Sequence, residues 1–225
     1  MKMKVEALSV FFLGMICANT ALAQAGQWYS NVGPGSYGNG PSLGFEIDGA
    51  SGYSVTDSFT MTGATNNLYG ASFVEEVSTG DTPTSVSWAI TTAAFDGTVE
   101  ASGTDASLTG SYIGSAYGTF AIYQESISIP LLPLGPGTYW LQLDNATTAQ
   151  SGQAFWDESD GPSAAVENYY GVYYASTADP TYNMTGSETF KIQVPEGGAG
   201  ALYLLLGGVS CLAAMFFRAR NHSAA

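Results

Sequence analysis

The stretch YSVTDSFTMT, Tyr53–Thr62, decides the fold. Tyr53, Val55, Phe59 and Met61 fall on one side of an extended chain, and Ser54, Thr56, Ser58, Thr60 and Thr62 on the other. Side chains of a strand alternate between faces, so this pattern predicts a strand with one dry face and one wet face. The same period recurs along the chain. Tyr69, Ala71, Phe73 and Val77 share a face, with Glu76 outward. Val86, Trp88 and Ile90 alternate with Ser85, Ser87, Ala89 and Thr91. Tyr139, Leu141 and Leu143 form a later strand, and Phe190, Ile192 and Val194 the last. Phe120 and Ile122 start in one phase while Ile127 and Ile129 end in the other, which predicts a bulge near Tyr123–Glu125.

Turn residues separate these runs: Gly80-Asp81-Thr82-Pro83, Asp96-Gly97, Gly135-Pro136-Gly137 and Asp160-Gly161-Pro162. Between Gln24 and Val194 no long run carries apolar residues at helical spacing. The expected fold is all-β: an antiparallel β-sandwich, jelly-roll-like, built from many short strands.

Composition narrows the chemistry. The chain has 225 residues, with 19 Asp+Glu, 5 Lys+Arg and one His. Between residues 24 and 194 there is no Cys, His or Arg, and Lys191 is the only base. That region therefore has no imidazole for a Ser-His-Asp or Cys-His nucleophile, and no His or Cys ligand for zinc, haem or an iron–sulfur cluster. Seventeen carboxylates against one lysine give it a formal charge of −16, a surface that repels nucleic acid and anionic lipid. Only carboxylate chemistry of the glycosidase kind remains open to a catalyst. Without cysteine, an adequate core has to hold the body together.

The two ends read as addresses. Residues 1–23 form a signal peptide: Lys2 and Lys4, then an apolar run, then Ala21-Leu22-Ala23 as the cleavage site, so that Gln24 begins the mature chain. Residues 199–217, AGALYLLLGGVSCLAAMFF, are uncharged and at about 1.5 Å per residue approach the ~30 Å of a bilayer's hydrocarbon core. Arg218 and Arg220 in the tail 218–225 are retained on the cytoplasmic side, placing the body outside. Val194-Pro195-Glu196-Gly197-Gly198 stands immediately before this helix.

This order of short Pro-acid motif, transmembrane helix and Arg-containing stub resembles the PEP-CTERM sorting signal of Gram-negative bacteria. The usual motif is Val-Pro-Glu-Pro. Here Gly197 replaces the second proline, and the glycine pair resembles the Val-Pro-Asp-Ser-Gly style of variant. GDTPTSVSWAI (Gly80–Ile90), LGPGTYWLQL (Leu134–Leu143) and FWDESDGPS (Phe155–Ser163) are similar to segments of exported proteins of that group. The resemblance implies three parts: signal peptide 1–23, β-sandwich ectodomain 24–193 and sorting signal 194–225. It further implies export through a secretion translocon and recognition by an exosortase-like membrane enzyme. The precursor would be anchored in the inner membrane by its C-terminal helix, bound for the cell surface or matrix, with exopolysaccharide or biofilm as its setting. It supplies no catalytic residue.

Three candidate sites remain in the body. Trp156-Asp157-Glu158-Ser159-Asp160-Gly161 is the densest acidic cluster. Asp157 and Asp160 with nearby carbonyls are a candidate Ca²⁺ site, although the spacing is not that of an EF-hand, and a solvated turn is the alternative. Trp156, Tyr169 and Tyr173 are candidate sugar-stacking faces, the alternative being ordinary aromatic content of a β-protein. If Tyr169–Tyr174 were one strand, Tyr169 and Tyr173 would share a face, and Tyr170 and Tyr174 the other. Glu75-Glu76 and Asp157-Glu158 are adjacent carboxylates, which a strand sends to opposite faces, so neither pair acts as acid and base together. The expectation is a non-enzymatic envelope or matrix protein that needs no resident cofactor. Contact with an acidic polysaccharide would require bridging cations. A carbohydrate-binding module and a carboxylate-only glycoside hydrolase are the rivals.

Overall fold

A computed structural model describes residues 25–30, 44–62, 66–116, 118–159, 161, 163, 165–175 and 186–195. The expected cleavage site (Ala21, Ala23, Gln24), Asp160, Glu196–Gly198, the apolar run 199–217 and Arg218 and Arg220 lie outside the described residues. Among the described residues no helix is long and apolar enough to cross a membrane.

Residues 27–194 form a compact body whose described part is almost entirely strand. In chain order the strands are β1 (Ala25–Ser30), β2 (Phe45–Glu46), β3 (Tyr53–Met61), β4 (Asn66–Ser78), β5 (Pro83–Thr91), β6 (Val99–Asp105), β7 (Ser111–Ala116) and β8 (Phe120–Leu134). They continue as β9 (Gly137–Thr148), β10 (Ala154–Trp156), β11 (Glu158–Ser159), β12 (Val166–Tyr169), β13 (Val172–Ala175), β14 (Ser187–Glu188) and β15 (Phe190–Pro195). One helical turn occupies Gly49–Ser51, capped by the Asp48 carboxylate, which accepts from the Ala50 N–H at 2.8 Å.

Two sheets result. A seven-stranded sheet runs β1-β15-β4-β10-β2, with β8 on the other side of β4 and β7 beyond it. A six-stranded sheet runs β13-β12-β3-β9-β5-β6. The registered strand pairs are antiparallel. Strands consecutive in sequence often sit in different sheets, as β3, β4 and β5 do, and as β8, β9 and β10 do. Val55, Phe59 and Met61 from one sheet and Phe73, Phe190 and Ile192 from the other share a single buried core. Phe59 and Phe190 meet edge-on across it, with ring centroids 6.3 Å apart.

The period-two reading places most of these side chains correctly, with three corrections. β8 itself does not bulge at Tyr123–Glu125: it pairs with β4 without a shift from Phe120↔Ser78 to Ser128↔Gly70, and the irregularity near Tyr123 lies on its other neighbour, β7, between Tyr112 and Gly114 opposite Tyr123 and Ile122. The phase changes because both faces of β8 are covered there. Ile122 joins Val74 and Ala116 in a small cluster on the outer face, while Ile127 joins the main core. The irregularity in the β4–β8 pairing lies instead between Leu68 and Gly70. It turns Leu68 fully inward and leaves Tyr69 half-buried, so Tyr69 is not a core residue. Thr56 and Thr91, expected on wet faces, are buried; the Thr56 hydroxyl donates to the Leu141 carbonyl at 3.1 Å.

One crossing organises the edge of the body. On one side of β4, β15 pairs with Gly70–Phe73 and β10 with Glu75–Val77. The two neighbours change over at Val74. The Val74 N–H donates to the Thr189 carbonyl (3.2 Å), the Asp157 N–H to the Val74 carbonyl (3.0 Å), and the Thr189 N–H to the Asp157 carbonyl (2.8 Å). Beyond this point the chain leaves the sheet on both sides, and β11 and β14 pair with each other.

Candidate functional site

The crossing is lined by acids. Asp57 stands on the core face of β3, in phase with Val55 and Phe59, and is fully buried. It accepts the Glu188 N–H at 2.7 Å, the Ser58 N–H at 2.6 Å and the Ser187 hydroxyl at 3.3 Å. It thereby ties the six-stranded sheet to the β11–β14 ribbon. Burial lifts its carboxyl to about 6, opposed by these donors. The Glu188 carboxyl is held well above the ordinary glutamate range, by burial first and then by Glu158, Asp57 and Asp157, with the Phe45 N–H opposing. Glu76 rises to about 8 through burial and then through the neighbouring Asp157 and Glu158.

A second pair of acids lies on the opposite face of β4. Glu75 points into the core between Tyr123 and Trp156, its partners in register. Neither of its oxygens has a hydrogen-bond partner. Burial, and then the charge of Glu125, raise it well above the glutamate range. Glu125, on the same face of β8, is lifted to about 7 by burial, eased by the Gly110 N–H and aggravated by Asp105. Gly110 leaves the room this needs, since a Cβ there would fall on the Glu125 carboxyl.

The expected adjacency rule therefore holds on β4: Glu75 and Glu76 face opposite sides and meet different partners. Asp57, Glu125 and Glu188 were missed. The signal for Asp57 was available, because it occupies the apolar phase of the Tyr53–Met61 strand. No group of three or more His, Cys, Asp or Glu among the described residues is arranged to hold a metal ion. Asp157 itself is 3% exposed. At 156–159 the chain is not a solvated turn: Trp156 and Glu158-Ser159 are strand, Asp157 joins them, and Trp156, Asp157 and Ser159 are buried, while Asp160 lies outside the described residues.

The sugar-contact residues separate. Trp156 is fully buried: its ring packs edge-on against Phe73 and Phe190, and its indole N–H donates to the Thr189 carbonyl at 2.9 Å. A fully buried ring cannot stack on a sugar, so Trp156 is not a sugar-contact residue. Tyr169 and Tyr173 do not share a face, because the chain turns between them. Tyr170 (φ 48°) and Gly171 (φ 83°) form a two-residue hairpin loop in the left-handed conformation. Tyr169 stacks on Tyr53 at 4.3 Å. Tyr173 lies opposite Asn168 and stacks on Phe95 of the β5–β6 loop at 5.4 Å. Tyr170, Tyr173 and Tyr174 are about half exposed or more, at 73%, 51% and 48%. On the outer face of the seven-stranded sheet, Ser72, Val74, Gln124 and Lys191 line a recess of about 10 Å³, room for one water.

No protein-family model matches the chain, and no curated protein matches it.

Proposed function

We propose that this chain is an exported envelope or matrix protein without catalytic activity of its own, delivered by a PEP-CTERM-type signal. Its body is a jelly-roll-like sandwich, a reading supported by the way successive strands cross between sheets. The observation that carries the proposal is the order at the C-terminus. The last strand, β15, brings the chain to Val194-Pro195, Glu196-Gly197-Gly198 follow, and then come the uncharged run 199–217 and two arginines. The compact body is complete at Val194, so cleavage within the motif would leave its core intact. The test is mass spectrometry of the mature C-terminus recovered from surface or matrix material. Loss of everything after about Glu196 supports sorting, whereas an intact Ala225 means a permanent anchor.

The half-exposed tyrosines of the β12–β13 hairpin favour a second reading, a carbohydrate-binding module. Its platform would be built on Tyr173, not Trp156. A glycan array with wild type and Tyr173→Ala separates the two readings; no saturable binding removes the second. The hydrolase reading is weaker. Asp157 and Glu76 are buried, and a glycosidase needs two carboxyls open to the sugar. Activity screening on polysaccharides, followed by Asp157→Asn and Glu158→Gln, decides it.

A further inference from the structure

Two buried acid pairs straddle β4. On the core face, Glu75 is fully buried, has no donor to either oxygen, and faces Glu125, with Asp105 behind Glu125. The other side chains opposite it in register are Tyr123 and Trp156, and the Tyr123 hydroxyl donates elsewhere, to the Asp81 carbonyl. On the outer face, Glu76 is 1% exposed and neither of its oxygens has a hydrogen-bond partner, with Asp157 a neighbouring acid. Its register partners are Ile122 and Phe155, both apolar. The charged groups closest after Asp157 are further acids: Glu158 beside Glu76, then Glu188 and Asp57 around Asp157 and Glu158. Lys191, the only base of the sequence between residues 24 and 194, lines the recess on the outer face with Ser72, Val74, Gln124 and Thr189 and is not among the groups acting on Glu75 or Glu76.

An ionised carboxylate buried without donor or cation is strongly disfavoured, and the group neutralises instead. We infer that the folded protein keeps both Glu75 and Glu76 protonated, so that protons clamp the body at the β10–β11 and β14–β15 crossing. The clamp tightens in acid and opens in alkali. Its first yield is at Asp157 and Thr189, where the two segments leave the sheet.

The test is hydrogen–deuterium exchange on the full chain, corrected for the intrinsic rate at each pH. Peptides covering 154–159 and 186–190 are expected to lose at least about tenfold in protection between mildly acidic and mildly alkaline conditions. Glu76→Gln, which mimics the protonated acid, should abolish most of that loss. Infrared difference spectra of the wild type should carry a protonated-carboxyl C=O band at neutral pH, reduced in Glu75→Gln. Three results would overturn the inference. One is pH-independent protection of these peptides in the wild type. Another is absence of the carboxyl band at neutral pH. The third is alkaline protection that calcium restores and a chelator removes, since a cation would then hold the pair.

Discussion

Glu75 and Glu76 are consecutive residues of β4, yet their carboxyls lie on opposite faces of one sheet, each buried against a different acid. The first prediction concerns pH. In the unfolded chain Glu titrates near 4.5 and Asp near 3.8; in the fold Asp57 titrates near 6, Glu125 near 7 and Glu76 near 8. A raised folded value means the fold binds protons more tightly than the unfolded chain. Stability from these groups is therefore whole below about pH 4 and declines as pH rises through about 6, 7 and 8. Thermal midpoints are expected to fall over that window. High salt should not cancel the fall, because screening acts on exposed charge and little on buried pairs. A midpoint that rises from pH 5 to pH 8 contradicts the assignment.

Glu75→Gln follows from the same geometry. Glutamine keeps the shape of a protonated glutamate and removes the ionisation. The variant is expected to match wild type at pH 4 and to exceed it at pH 8 by at least about 1.4 kcal/mol, the worth of one pKa unit of a raised buried carboxyl. Denaturant unfolding at the two pH values reads the difference. Equal effects at both pH values would mean that the amide is judged only by its packing.

Most of the architecture was legible in the sequence, and what escaped notice has a common physical cause. Val86, Trp88 and Ile90, and Leu141 with Leu143, are buried as their alternation requires. Asp57 and Glu125 were passed over although both stand, like Glu75, in the apolar phase of their strands, since a charged residue in that phase is usually taken as a break in the pattern. Only the third dimension shows that β11 and β14 leave the sheet and bring donors to Asp57. The hairpin at Tyr170-Gly171 was missed for a simpler reason. Two φ > 0 residues reverse the chain inside a run of tyrosines, so spacing within one strand did not apply. Nothing in the spacing could place the Leu68–Gly70 irregularity, which is set by how β4 and β8 pair.

Asp57 is a test of the bridge between sheets. Asp57→Ala removes the acceptor of the Glu188 N–H and the Ser187 hydroxyl in a closed site, leaving buried donors unpaired. The expected loss is about 2–4 kcal/mol. Asp57→Asn retains one acceptor oxygen and should recover part of it. Chemical denaturation of both variants provides the comparison. An alanine variant within about 0.5 kcal/mol of wild type, the range of ordinary surface changes, would show that the ribbon is held by other contacts.

Asp81 makes a separate clasp between two turns. Its Oδ1 accepts the Thr82 N–H at 2.8 Å and the Gln150 N–H at 2.9 Å; its Oδ2 accepts the Gly152 N–H at 3.2 Å and the Thr148 hydroxyl. Burial pulls its carboxyl upward, but these four donors outweigh it and the carboxyl is held below the ordinary aspartate range. The sign is opposite to that of Glu76: this contribution is present above the unfolded value of 3.8 and is lost as pH falls below it. Asp81→Ala is expected to cost about 1–3 kcal/mol at neutral pH. Hydrogen exchange should quicken at 79–82 and 149–153 while the crossing at Val74 stays protected. Faster exchange at the crossing instead would mean that the clasp and the acid cluster form one unit.

Trp156 and Tyr173 make opposite predictions, and the pair decides whether the aromatic residues serve packing or recognition. Trp156→Phe keeps most of the ring contacts with Phe73 and Phe190 but leaves the Thr189 carbonyl without its indole donor. The carbonyl keeps the Val74 N–H, so the expected cost is about 1 kcal/mol, the net worth of one hydrogen bond, plus a smaller packing loss. Tyr173→Ala removes a half-exposed ring whose aromatic neighbour is Phe95. Its cost should stay near or below about 1 kcal/mol, the scale of one aromatic pair. If the hairpin recognises a sugar, Tyr173→Ala abolishes binding and Trp156→Phe leaves the affinity of the folded fraction unchanged. The measurement is calorimetric titration with a glycan that binds on the array, with folded fraction set by circular dichroism. Loss of binding in Trp156→Phe but not in Tyr173→Ala would move recognition away from the hairpin and toward the crossing.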